Sequence, residues 1–294
     1  MKKSLIFGGI GTALITPMRN EKIDYPALSK IIEAQIKGGV SALIIGGTTG
    51  EAATLSDKER YKLYAYAKER VDGRVKIIFG AGTNDTRAAI KHTENATRIG
   101  CDGILVVTPY YNKGTYRGVF EHYKSIATAT DTPIILYNVP SRTGVNLTLE
   151  QIEELSKCEN IVGIKEASDS ADRLVELSKF KDELYLYAGA DLQTYTVLSL
   201  GGAGIISVVS NLYPEKMVSI YKNFKAGKNY EALTEQQELI GFIKVMFKET
   251  NPAPIKYAMS LAGFCSDEVR LPLYPVEEET RRVINKEIER LSHL

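Results

Sequence analysis

Short apolar runs recur along the chain, separated by longer amphipathic stretches. Eight stand out: "FGGIGTALITP", "SALIIGG", "VKIIFGAG", "GILVVTPYY", "PIILYNVP", "IVGIKEAS", "LYLYAGA" and "GIISVVSN". They are rich in Val and Ile, too brief for helices, and without the polar alternation of a strand that has one wet face. Such runs predict strands buried on both sides, and their alternation with helical segments predicts a parallel sheet. The helix signals are local. In "TLSDKERYKLYAYAKERV", Ser56 is placed to cap the helix with Glu59 three residues on, and Tyr61, Leu63, Tyr64 and Ala67 follow near helical spacing; "TRAAIKHTENATRIG" closes on Gly100. Eight such units in about 225 residues predict an α/β fold of the (β/α)8 barrel type, whose usual size is ~250 residues. The glycines of "GGIGTALI" lack the spacing and following helix of a dinucleotide-binding open sheet.

After Asn211 no strand signal returns. Four helical segments follow, "PEKMVSIYKNFKAG", "NYEALTEQQELIGFIKVMFKE", "PAPIKYAMSLAGF" and "PVEEETRRVINKEIERLS", with Pro or Gly between them. The first is expected to complete the outer ring of the barrel, and the others to form a C-terminal helical appendage. The predicted division is a catalytic barrel over residues 1–227 and a helical domain over 228–294.

The 294 residues, 44% of them hydrophobic, suffice for a sizeable core. Thirty-seven basic residues balance thirty-six acidic ones, with no basic stripe, so nucleic acid is not an expected partner. Cys101, Cys158 and Cys265 are odd in number and far apart, which fits neither a disulfide framework nor a zinc site and suggests a reducing, cytoplasmic home. Lys2 and Lys3 before the run Leu5 to Ile15 mimic a secretory signal. Gly8, Gly9 and Gly11, the Thr16-Pro17 that follows and the lack of a small-residue cleavage site argue against it, and no membrane association is expected.

Catalytic groups of such barrels lie at the C-terminal ends of the strands. There the sequence places Gly46-Gly47-Thr48-Thr49-Gly50-Glu51, Thr108-Pro109-Tyr110-Tyr111-Asn112, Tyr137-Asn138-Val139-Pro140-Ser141-Arg142, and Lys165-Glu166. Singly, each has a bland reading: a solvated strand-end lysine, packing tyrosines, a turn, a surface arginine pair. Together they suggest a site for a keto acid. A neutral lysine attacks a ketone to form a Schiff base, and an apolar strand around Lys165 disfavours the charged amine. A phenol can shuttle protons, Thr48 and Thr49 can hold a carboxylate, and Arg142 can grip a second one. His92, His122 and His293 fall in helical segments, and no metal cluster is visible, so metal-dependent aldol chemistry is disfavoured.

The motifs "GTALITP", "GGTTGEAATLS", "TPYYNK", "YNVPSRTG", "VGIKEAS", "GGAGIISVVSN" and "NPAPIKYAMSLAGF…RLPLYP" occur in the order and at the spacing of one family. Over essentially its whole length the chain resembles the dihydrodipicolinate synthase (4-hydroxy-tetrahydrodipicolinate synthase) group of the N-acetylneuraminate lyase superfamily. The resemblance implies a lyase in which Lys165 forms the Schiff base with pyruvate and Tyr137 passes protons above it. Thr48 would link Tyr137 to Tyr111, which in this family enters the neighbouring subunit's site. Thr49 would hold the pyruvate carboxylate, Arg142 the carboxylate of L-aspartate 4-semialdehyde, and the carbonyls of Gly189 and Ile206 would make secondary contacts. No cofactor is implied, and the expected assembly is a homotetramer, a dimer of dimers.

The alternative within the superfamily is a sialic acid or 2-keto-3-deoxy sugar acid lyase, which lacks the "SRT" run containing Arg142. From other classes, a keto-acid sensor would need a broken relay, and a pyridoxal phosphate barrel would need a phosphate site that "GADLQ" and "SVVSN" supply poorly. The resemblance also implies a regulatory lysine site near Ala52, Ala53, Asp57, Arg60, Asn84, Ala88 and Tyr110. Sensitive members carry a histidine and a glutamate among these positions, where this chain has Asp57, Arg60 and Ala88, so weak or absent inhibition by lysine is expected.

Overall fold

A computed structural model describes residues 3–293. Its centre is a closed barrel of eight parallel strands, each hydrogen-bonded to its neighbours in chain order, with the last paired to the first. The strands are Gly9–Ala13 (β1), Ala42–Ile45 (β2), Lys76–Gly80 (β3), Gly103–Val107 (β4), Ile134–Asn138 (β5), Ile161–Glu166 (β6), Tyr185–Ala188 (β7) and Gly204–Ser207 (β8). Each of the eight predicted runs contains one, so the (β/α)8 barrel with a C-terminal helical appendage is the fold. The strands are shorter than the runs, because the apolar flanks continue into loops that fold over the barrel's ends. The hairpin Met18–Arg19 with Lys22–Ile23 carries no signal in the sequence reading.

Two apolar layers follow from the alternation of side chains along the strands. One fills the barrel, with Phe7, Ala13, Ile44, Ile78, Leu105, Ile135, Tyr137, Tyr187 and Ile206 among its members. The other lies between strands and helices and includes Leu43, Tyr64, Phe79, Val106, Leu136 and Ile164. Gly46 adopts φ 66°, open to glycine without steric cost, and Gly80 sits so close to the Gly46 carbonyl that a Cβ would not fit. The loop after β2 is thereby drawn against the end of β3, at the mouth.

The helix caps match the sequence reading. Ser56 and Glu59 form a reciprocal capping box on helix Asp57–Val71, and Gly100 ends helix Thr86–Ile99 in the left-handed conformation. Helix Pro214–Lys225 packs against β1, completing the ring. The predicted second C-terminal helix is in fact two, Asn229–Glu238 and Ile240–Val245, broken at Leu239. Just past the break, Gly241 lies against the Glu287 carboxylate of the last helix. Helices Ala253–Leu261 and Glu278–Ser292 complete the appendage. No described helix is long and apolar enough to cross a membrane.

His122, in helix Tyr116–Thr128, is buried with Nδ1 2.9 Å from Thr86 Oγ1. Nε2 has no partner among the described residues. Burial lowers its pKa to about 4, with a weak opposing pull from Asp85. Below the unfolded value of about 6.5 the unfolded chain takes up a proton that the folded chain refuses, so stability is full above 6.5 and is lost as pH falls through 4. The expected loss attributable to this residue is about 3 kcal/mol between pH 6.5 and 4. Urea unfolding across that range checks it, since His122→Gln should flatten the acid limb.

Candidate active site

Lys165 reaches the barrel interior through a slip in strand register. Ile134 pairs with Ile161 but Ile135 pairs with Gly163, leaving Val162 as an extra residue in β6. Both Val162 and the partner of Gly163, Ile135, belong to the inner layer, whereas Ile164 belongs to the outer one. The extra residue therefore turns Lys165 inward, where strict alternation from Val162 would have turned it out. Gly163 permits this, since a Cβ there would stand 2.8 Å from the Tyr185 carbonyl and 3.2 Å from the Tyr187 ring. Lys165 is 5% exposed and in register with Tyr137 on one side and Tyr187 on the other. Its Nζ lies 4.2 Å from the centre of the Tyr137 ring.

Glu166, next in sequence, is fully buried and fully engaged. It accepts from Arg173 Nε at 2.9 Å, from Asn138 Nδ2 at 2.9 and 3.0 Å, and from the Ser168 amide at 2.9 Å. Its carboxylate anchors the end of β6 to the end of β5. Asp191, between β7 and β8, is also buried and accepts from Ser207 Oγ at 2.5 Å and from the amides of Val208 and Val209 at 3.1 and 3.4 Å. Burial raises its pKa, against the hydrogen bonds and the charge of Lys165. The bridge clips together the segments that carry Gly189 and Ile206.

The mouth holds a cavity of about 430 Å³ whose lining includes Thr48, Tyr137, Arg142, Asn251 and Leu273. Lys165, Thr49, Gly189 and Ile206 are not part of that lining. Arg142 is exposed and donates from Nη2 to the Asn251 carbonyl at 3.1 Å. Thr49 is buried, its Oγ1 accepting from Asn251 Nδ2 at 2.9 Å. Among the described residues no hydrogen bond joins Tyr137, Thr48 and Tyr111. Tyr111 has φ 72° and is 88% exposed.

Of the regulatory candidates, Ala52, Ala53, Asp57, Arg60 and Tyr110 line the same cavity, and Asn84 and Ala88 do not. Asp57 is paired with Lys91 at 2.7 Å. Arg60 is buried, donating to the Ala52 carbonyl at 2.7 Å and the Gly80 carbonyl at 3.2 Å.

The sequence reading missed the supports that the appendage supplies. Lys256 and Glu51 form a fully buried ion pair at 2.5 Å, and Glu51 also accepts from the Arg270 amide at 3.0 Å. Burial lowers the Lys256 pKa, with Glu51 opposing. The only sequence sign was the position of each residue inside a motif, "GTTGE" and "PAPIKYA".

A closed parallel barrel with a buried amine at the end of its sixth strand, beneath a tyrosine ring, has the layout of the Schiff-base, class I aldolase-like lyases. More narrowly, the chain belongs to the dihydrodipicolinate synthetase family, whose model matches residues 6–291. It is 44% identical over 282 residues to the 4-hydroxy-tetrahydrodipicolinate synthase of Endomicrobium trichonymphae, covering 96% of this chain and 97% of that one. It is 45% identical over 280 residues to the enzyme of the same name from Thermotoga neapolitana, covering 94% and 95%. The crystal structure of dihydrodipicolinate synthase from Thermotoga maritima superposes with a TM-score of 0.96 at 39% identity, covering 99% of this chain and 100% of that one.

Removing one partner of a buried ion pair leaves the other charge uncompensated, at a cost of roughly 3–5 kcal/mol. Lys256→Met is accordingly expected to lose that much unfolding free energy in urea. The double variant Lys256→Met with Glu51→Gln should recover most of it, and a double variant no better than the single one would contradict the pairing.

Proposed function

We propose that this chain condenses pyruvate with L-aspartate 4-semialdehyde through a Schiff base on Lys165. The observation that carries the reading is the inward amine, held dry between Tyr137 and Tyr187. The amine adds to the pyruvate ketone and water leaves, giving an iminium. Tyr137 relays protons during that step, with Thr48 as the link toward Tyr111. Loss of a methyl proton gives an enamine, whose carbon attacks the aldehyde. The amine of the adduct then displaces Lys165 as the ring closes, which regenerates the free lysine. Thr49 holds the pyruvate carboxylate, Arg142 holds that of the aldehyde, and the carbonyls of Gly189 and Ile206 contact the substrate. The barrel over residues 1–227 carries the chemistry, and the appendage over 228–294 braces its mouth. A cytoplasmic setting suits a biosynthetic lyase with three free cysteines.

An oligomer is part of the reading, with a tight dimer as the unit and a tetramer as the assembly. Tyr111 combines a backbone conformation costing roughly 1–3 kcal/mol with a side chain that its own barrel does not cover. Leu271 and Tyr274, which flank the cavity-lining Pro272 and Leu273, are 75% and 72% exposed. A second copy seated over this rim would cover all three and complete the relay.

Borohydride reduction in the presence of pyruvate, followed by peptide mass mapping, should place the label on Lys165, and a label elsewhere or none refutes the reading. In steady-state assays Arg142→Ala should raise KM for the semialdehyde roughly 10- to 100-fold, as expected for a lost charged hydrogen bond, with little change for pyruvate. Inhibition by lysine should be weak, because the guanidinium of Arg60 occupies the cavity wall that an ammonium would have to approach. Half-inhibition at or below millimolar lysine would overturn that expectation.

A further inference from the structure

Asn251 precedes helix Ala253–Leu261 in the appendage and is 5% exposed. It lines the cavity together with Thr48, Tyr137 and Arg142. Three of its groups are distinct. Nδ2 donates to Thr49 Oγ1 at 2.9 Å, the backbone carbonyl accepts from Arg142 Nη2 at 3.1 Å, and Oδ1 is buried with no partner among the described residues. One residue of the appendage thus touches both side chains assigned to grip carboxylates.

From this geometry we infer that Asn251 is a positioning residue that sets the hydrogen-bond polarity of Thr49 and so makes it a donor to the keto-acid carboxylate. The inference rests on the reading that Thr49 holds that carboxylate. A hydroxyl offers one hydrogen and two lone pairs, whereas an amide N–H can only donate. With a lone pair of Thr49 taken by Asn251, the Thr49 hydrogen is left to point elsewhere, and no described group receives it. A nearly buried donor without an acceptor matches an arriving carboxylate oxygen, which only accepts. The orphaned Oδ1 is a second sign that the polar set is incomplete until a ligand arrives.

Aspartate at this position has nearly the same shape and reversed polarity. It can only accept, so the Thr49 hydrogen would turn to it, and its charge would stand beside the substrate's own carboxylate. Alanine removes the donor without reversing it, leaving Thr49 free to donate. The Arg142 contact is made by the backbone carbonyl and survives both changes.

The test measures the pyruvate concentration that half-saturates borohydride trapping, together with KM and kcat for both substrates and the thermal midpoint. N251D is expected to raise the pyruvate half-saturation at least about 30-fold, and N251A only a few-fold, while the semialdehyde KM and the kcat at saturating pyruvate stay within about 3-fold. Adding T49V to N251D should cost little more, because the hydroxyl is already diverted. A purely structural role predicts that loss of affinity tracks the thermal midpoint in both variants, because a buried aspartate charge destabilises the fold just as an emptied space does. That result would overturn the inference, as would N251D binding pyruvate normally, which is what an amide with Oδ1 turned toward Thr49 produces. If the unaltered protein carries its label on Lys165, either outcome leaves the Schiff-base reading standing. Absence of that label removes the reading and the inference together.

Discussion

One extra residue in one strand decides where the amine goes. In a closed barrel every strand is paired on both sides, so an irregularity cannot be relieved at an edge, and its effect on side-chain direction persists to the strand's end. Val162 is that residue. Beyond it, Ile164 packs outward against the helices while Lys165 faces Tyr137 and Tyr187. A lysine with the same neighbours in sequence but one position out of phase would lie among the helices, where it could meet no substrate.

Having put a lysine in a dry interior, the fold keeps the buried carboxylates of the same strand ends individually satisfied. Glu166 has Arg173, Asn138 and a backbone amide, and Asp191 has Ser207 and two amides. Buried charges that lack such partners are costly, and a mobile one would compete for the amine. Each of these carboxylates also joins two consecutive strand ends, so the groups that neutralise them double as braces for the rim. Glu51 does the same over a longer distance, tying the loop after β2 to Lys256 in the appendage. The mouth is therefore held from below by strand pairing and from the side by the C-terminal helices.

The barrel was legible because its strands are buried on both faces: eight Val- and Ile-rich runs at regular intervals leave few other folds. The strand-end residues were legible for a related reason, since the architecture dictates where to look for Lys165, Tyr137, Thr48 and Arg142. The slip at Val162 was not legible, because the "IVGI" before the lysine is apolar on both faces and its alternation gives no sign of which side is which. Asn251 and Lys256 escaped for another reason. They meet Thr49 and Glu51 across about 200 residues of sequence, and a contact of that separation leaves no local periodicity.

One cavity is lined by two sets of residues that the sequence treats as separate: Thr48, Tyr137 and Arg142, and Asp57, Arg60 and Tyr110. The turn from Gly46 to Thr54 supplies part of the lining, and its Glu51 is fixed to the appendage. Arg60 bonds to the carbonyls of Ala52 and Gly80, and Gly80 is packed against Gly46. The guanidinium thus acts as an internal fastening of that turn. A turn fastened in this way has little freedom to move, and the same rigidity holds Thr48 and Thr49 in place.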